Sequence, residues 1–192
     1  MVNKKLPKIL EQREFELLFK ANTKQLAEAK GKKKKTIREF RLCMILGFEA
    51  GMRISEIVGY KRKDGTTINP LTKEQFEGNQ IRIIDGKGKK DRIVPKPKRL
   101  NETIITMLPI KIGRRALQKY FTKLGKEVLN KHITFHTLRH GFGSHLAGMG
   151  RPLHEIQMLM GHSRLDTTGI YLHANPRQAI EGAQNVFWFT KG

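Results

Sequence analysis

Apolar residues recur along the chain in two textures, helical and strand-like. From Gln12 to Ala29, the residues Phe15, Leu18, Phe19 and Leu26 form a stripe at near-helical spacing, which predicts an amphipathic helix. The run Lys32-Lys33-Lys34-Lys35, following Gly31, breaks that stripe and reads as a solvated loop or a phosphate contact. Thr36 then stands where an N-cap would, with Glu39 completing a capping-box pattern. The helix so begun is expected to run to Ala50 and to end at Gly51. After a short helical turn over Ser55–Tyr60 the texture changes. Thr66-Thr67-Ile68-Asn69 and Gln80-Ile81-Arg82-Ile83-Ile84 are short and β-branched. Asp85-Gly86-Lys87-Gly88-Lys89-Lys90 reads as a turn, and Asp91-Arg92-Ile93-Val94-Pro95 as the returning strand of a hairpin with a basic tip. Helical spacing resumes at Gly113, with helices expected near 113–130, 135–148, 153–160, 164–172 and 176–186. The fold class is therefore mainly α with a small antiparallel β-sheet (α+β).

Charge narrows the choice of partner. The 192 residues are enough for one well-cored domain, and 38 Lys and Arg face 17 Asp and Glu, a net charge of +21. Such a surface repels itself unless a polyanion neutralises it, and double-stranded DNA is the expected partner. An anionic membrane surface is the competing partner, but no apolar run approaches the length of a span, and no membrane association is expected. The start, MVNKKLPKIL, lacks the apolar core of a signal peptide. The single cysteine, Cys43, rules out an internal disulfide framework and reads as a buried core thiol. An intracellular protein, cytoplasmic or nucleoid-associated, is expected.

Two kinds of chemistry suit the histidines and arginines. His136 and His140 are spaced to share a helix face, but Thr-Leu-Arg lies between them with no glutamate, and the chain has no cysteine pair or carboxylate cluster. No metal and no cofactor are expected. Phosphoryl transfer without a metal needs cations to stabilise the transition state, an in-line nucleophile and an acid for the leaving oxygen. Arginine suits the first task because its planar fork binds two phosphate oxygens at once. His136 and Arg139 fall on one face of the helix that opens near Thr134.

Four blocks then stand in order: Gly51-Met52-Arg53-Ile54-Ser55-Glu56, His136-Thr137-Leu138-Arg139-His140, Leu159-Met160-Gly161-His162-Ser163 and Asp166-Thr167-Thr168-Gly169-Ile170-Tyr171. Together they resemble the catalytic signature of the tyrosine recombinases, the integrase family. That resemblance implies a DNA breaking-rejoining catalytic fold and a role for each residue. Arg53 and Arg139 would clamp the scissile phosphate. His136 and His162 would hydrogen-bond its non-bridging oxygens and assist proton transfer. Tyr171 would attack phosphorus, giving a 3′-phosphotyrosyl link and a free 5′-hydroxyl, with no ATP. Glu56 matches an acidic position that supports the site, and His140 would support it by packing or hydrogen bonding. Gly161 would allow the turn that presents His162. On the hairpin, Lys87 best matches the family's general-acid lysine, with Lys89 and Lys90 as neighbours that would contact DNA, as Lys32, Lys33, Lys34 and Lys35 would.

The expected organisation is an N-terminal helix and basic linker over 1–35, a catalytic domain over 36–175 and a C-terminal helix or tail over 176–192. The N-terminal core-binding domain of most family members is expected to be absent. Three consecutive large apolar residues, Phe187-Trp188-Phe189, would be costly exposed, so the tail is expected to dock on a neighbouring protomer or fold back in cis. The working assembly implied is a homotetramer on two duplexes, with a monomer when isolated. The leading reading is a site-specific recombinase, Xer-like or from a virus or mobile element. A type IB topoisomerase and an inert basic DNA-binding module are the alternatives.

Overall fold

The computed structural model describes residues 9–61, 64–84 and 91–161. Helix α1 (Gln12–Glu28) begins where the Glu14 carboxylate accepts the Glu11 backbone N–H at 3.2 Å. It buries Phe15, Leu18 and Asn22, the helical spacing expected from the sequence. Helix α2 (Gly31–Glu49) is the central element. Ile37 and an unbroken run from Leu42 to Phe48 are buried along it, Cys43 included.

The start of α2 differs from the sequence expectation. Lys32–Lys35 are its first turns, neither a loop nor a break, and Thr36 lies inside the helix. Lysine is a good helix former, and the helical hydrogen bonding already starts with Lys34 N–H to the Lys30 carbonyl at 3.3 Å. The Thr36 hydroxyl donates back to the Lys32 carbonyl at 3.1 Å and caps nothing. Glu39 is buried, and its carboxylate accepts the Lys111 backbone N–H at 3.4 Å, so it completes no capping box.

Gly51 follows α2 at φ 62, and a Cβ there would stand 2.3 Å from the Phe142 ring, so backbone angle and space both require glycine. Helix α3 (Ile54–Val58) follows at once. Two small antiparallel sheets come next, where one was expected. Strand β1 (Tyr60–Lys61) pairs with β2 (Thr67–Ile68). The Asp64 carboxylate accepts both the backbone N–H and the hydroxyl of Thr66, at 2.9 and 2.6 Å, which turns the chain back so that β2 pairs locally. After one 3₁₀ turn at Lys73–Gln75, β3 (Phe76–Glu77), β4 (Gln80–Ile83) and β5 (Arg92–Pro95) form the second sheet in the order β3-β4-β5. The register pairs Ile83 with Arg92 and Ile81 with Val94. Ile81, Ile83 and Val94 face the core, and Ile93 is exposed. The expected hairpin therefore forms its two strands, and its tip, 85–90, lies outside the described residues.

Helix α4 (Glu102–Ile105) is a single turn capped by Asn101, whose side-chain oxygen accepts the Ile104 N–H at 3.0 Å. Four residues are too few for periodicity to reveal. Helices α5 (Arg114–Leu129), α6 (Phe135–Gly148) and α7 (Leu153–Met160) match the expected positions. The helices expected at 164–172 and 176–186, and the apolar tail, lie outside the described residues. Among the described residues, no helix is long and apolar enough to cross a membrane.

The α2–α6 contact places the later chemistry. A Cβ on Gly141 of α6 would stand 2.5 Å from the Phe48 ring of α2 and 2.8 Å from the Leu10 carbonyl oxygen. A Cβ on Gly47 of α2 would stand 2.9 Å from the Phe135 ring of α6. The two helices meet through small residues set against aromatic rings, with Phe15 stacked on Phe48 at 4.1 Å behind them. Gly141→Ala should therefore destabilise the chain by about 1–3 kcal/mol in urea denaturation, although alanine favours helix. A neutral or stabilising result would mean that α6 moves away from α2 without loss.

Candidate active site: arginines at the end of helix α7

Three arginines from three separate elements converge on the C-terminal end of α7. Arg53 is the residue before α3, held in place by the turn at Gly51 and the buried Met52. Arg92 opens β5, and Arg139 lies in the second turn of α6. Arg92 Nε donates to the Leu159 carbonyl at 2.9 Å, Arg139 Nη2 to the Met160 carbonyl, and Arg53 Nη2 to the Gly161 carbonyl at 2.8 Å. The last carbonyls of a helix have no partner within the helix and carry its negative dipole end. Here guanidinium groups supply those partners. Arg139 Nη1 also donates to the Gly51 carbonyl, which ties the end of α2 to the end of α7.

Glu56 joins two of the arginines. Its carboxylate accepts the Arg53 backbone N–H at 2.7 Å and Arg53 Nη1 at 3.0 Å. It also takes a bidentate pair from Arg92, at 2.6 and 2.8 Å. Only 1% of its side chain is exposed. Burial alone would raise the Glu56 pKa, but the hydrogen bonds and charge of Arg92, with those of Arg53, more than offset it and hold it at about 2. One carboxylate thus binds two of the three guanidinium groups, those of Arg53 and Arg92, while Arg139 reaches the same helix end through the Met160 carbonyl.

His136 stands on α6 beside this group. Burial, then the charges of Arg139 and Arg53, lower its pKa, so its ring is neutral at neutral pH. His140 packs edge-on against it, ring centroids 4.1 Å apart. Burial, then the charges of His136 and Arg139, bring His140 down to about 4. The structure therefore brings together Arg53, Glu56, His136, Arg139 and His140, which the sequence had singled out from two distant blocks. Lys32–Lys35 do not join them. They lie at the far end of α2, roughly 25 Å from Gly51 along the helix axis. Lys87, Lys89, Lys90, His162 and Tyr171 lie outside the described residues. Gly161 does make the turn expected of it, ending α7 at φ 58.

Arg92 was missed from the sequence, where it read as an ordinary strand residue. A signal was available. In the alternation of β5, Ile93 points outward and Val94 inward, so Arg92 takes an inward position. An arginine there requires a carboxylate partner.

The Glu56 pKa, lowered from 4.5 to about 2 on folding, makes this site a source of acid sensitivity. A carboxylate whose folded pKa is depressed stabilises the fold above its unfolded pKa, and that stability is lost as pH falls toward the folded value. The contribution is roughly 3 kcal/mol. In urea titrations the unfolding free energy should fall as pH drops from about 5 toward 2, and Glu56→Gln should remove most of that slope. An unchanged slope in the variant would place the acid sensitivity elsewhere.

Comparison with known proteins places the chain in a family. Residues 9–178 match the phage integrase family. Tyrosine recombinase XerC of Haemophilus influenzae is 32% identical over 160 residues, covering 73% of this chain and 51% of that protein. Tyrosine recombinase XerD of Staphylococcus saprophyticus is 30% identical over 198 residues, covering 92% of this chain and 61% of that protein. The chain spans about half to three-fifths of the length of these relatives. Among solved structures, the XerH site-specific recombinase bound to difH substrate in a pre-cleavage complex superposes with a TM-score of 0.67 at 25% identity. That match covers 98% of this chain and 56% of the XerH chain. Matched over most of its length in sequence and in fold, the chain belongs to the phage integrase family, that of the tyrosine recombinases.

Proposed function

We propose that this chain is the catalytic part of a site-specific DNA recombinase that breaks and rejoins DNA through a 3′-phosphotyrosyl intermediate, with Tyr171 as nucleophile. The observation that carries the reading is the convergence of Arg53 and Arg139, far apart in sequence, on the carbonyls that immediately precede His162. A phosphodiester placed there meets preorganised positive charge, which stabilises the added negative charge of a five-coordinate phosphorus. Arg53 and Arg139 clamp the non-bridging oxygens. His136 and His162 hydrogen-bond the same oxygens, and a neutral His136 offers one donor without adding charge.

The Tyr171 hydroxyl passes its proton to a neighbouring imidazole, that of His136 or His162, as its oxygen bonds to phosphorus and the bond from phosphorus to the 5′-oxygen breaks. The leaving 5′-oxygen takes its proton from Lys87. In the second half of the reaction a 5′-hydroxyl of the partner duplex attacks the phosphotyrosyl link and releases Tyr171. One phosphodiester is exchanged for another, so neither ATP nor a metal is required. Glu56 and His140 support the arginines and His136 from behind.

Double-stranded DNA as partner is supported by the net charge of +21 and by the XerH complex with its DNA substrate. Lys32–Lys35 at the N-terminal end of α2 place positive charge at the positive end of a helix dipole, an arrangement that DNA phosphates would relieve. Lys89 and Lys90 extend the DNA contact from the hairpin. The working assembly is a homotetramer on two duplexes, acting inside the cell, and the chain alone is a monomer.

A pool of nicked duplexes with randomised flanks tests the reading without knowledge of the site. The chain should form an adduct that survives SDS in the presence of EDTA, and Tyr171→Phe should form none. An adduct that persists in the variant would move the nucleophile to another residue. Arg139→Lys should slow adduct formation by about 100- to 1,000-fold while DNA affinity changes only a few-fold. Equal loss of rate and affinity would make Arg139 a binding residue. The logarithm of the binding constant should also fall steeply and linearly with the logarithm of salt, and a flat response would remove the backbone contacts from the account.

A further inference from the structure

We propose that Arg92 is a positioning residue for the phosphate-binding arginines, an inference that rests on the recombinase reading above. Its guanidinium makes three directed contacts: both oxygens of Glu56, at 2.6 and 2.8 Å, and the Leu159 carbonyl, at 2.9 Å. Through Glu56, which Arg53 Nη1 shares at 3.0 Å, it fixes the side chain of Arg53. Through Leu159 it fixes the last turn of α7, whose next two carbonyls receive Arg139 and Arg53. A second observation supports the same assignment. A Cβ at Gly161 would stand 2.8 Å from Arg92 Cδ and 3.2 Å from its Nε, so the turn before His162 is built around the Arg92 side chain. Its Nε, Nη1 and Nη2 are all directed at Leu159 and Glu56, so its fork is taken up by protein groups and its role is indirect.

Arg92 also opens the strand that returns from the segment carrying Lys87. The rigid fork of one guanidinium therefore joins the base of the hairpin to α3 and to α7. Lysine cannot replace it. A single ammonium nitrogen carries charge but cannot bridge two carboxylate oxygens and a carbonyl in the fixed directions of a guanidinium plane. Charge alone is thus not the property that matters at this position.

The decisive variant is Arg92→Lys, which retains the countercharge of Glu56 and with it the fold. It should melt cooperatively and bind the nicked duplex pool within about three-fold of the parent, yet form the SDS-resistant adduct about 100-fold more slowly at saturating DNA. A merely structural role would not split rate from affinity in this way. An adduct rate equal to the parent's overturns the proposal. So does a loss of affinity as large as the loss of rate, which would make Arg92 a DNA contact. Amide hydrogen exchange supplies a readout free of DNA. Exchange over 157–161 should accelerate about 10-fold in Arg92→Lys while exchange over 42–48 in α2 stays unchanged, and unchanged exchange at both overturns the proposal. If the parent chain forms no adduct with any duplex, the recombinase reading falls, and hydrogen exchange alone still decides whether Arg92 holds the end of α7.

Discussion

The end of a short helix is the constraint around which this site is organised. Helix α7 is eight residues long, and its last carbonyls would be left without partners by the helix itself. Three guanidinium groups satisfy them, and each arrives from a different part of the chain: after α2, from β5 and from α6. Satisfying the carbonyls and gathering the arginines are one event. The fold cannot complete α7 without assembling the positive cluster, and the cluster has no frame without α7. Glu56 keeps Arg53 and Arg92 from repelling each other, and its low pKa records how strongly it is held.

The layers beneath serve that arrangement. Glycines 47 and 141 let α2 and α6 approach until ring atoms fill the space that side chains would occupy. That approach sets Arg139 against the carbonyl of Gly51, so the end of α2 and the end of α7 share one guanidinium. Removing a methylene from such a contact, or adding one, displaces the site as well as the core. The guanidinium groups are fixed in place by backbone carbonyls.

Much of this was legible in the sequence, for physical reasons that differ by element. Helices α5, α6 and α7 were readable because long amphipathic patterns and punctuating residues such as Gly148, Gly150 and Pro152 agree. That Arg53, His136 and Arg139 would share one site was readable from the ordered blocks that carry them and that resemble the family's signature. The start of α2 was not. Lys32–Lys35 follow Gly31 and interrupt the apolar stripe, yet lysine does not oppose a helix, and the Thr36 hydroxyl finds its partner one turn back. The two-sheet arrangement depended on the Asp64–Thr66 turn, a local hydrogen bond that no periodicity reports. Arg92 was hidden for a related reason. Its partner Glu56 is distant in sequence, and only pairing of β5 with β4 turns it toward that carboxylate.

We propose the arginines at the end of α7 as a phosphate site for strand cleavage. A crystal structure of the Tyr171→Phe chain bound to a nicked duplex recovered from the randomised pool tests it most directly. A backbone phosphate should lie within hydrogen-bonding distance of both Arg53 and Arg139, beside His136, with Arg92 still on Glu56 and Leu159. A duplex bound with that phosphate elsewhere, in contact with neither Arg53 nor Arg139, would contradict it.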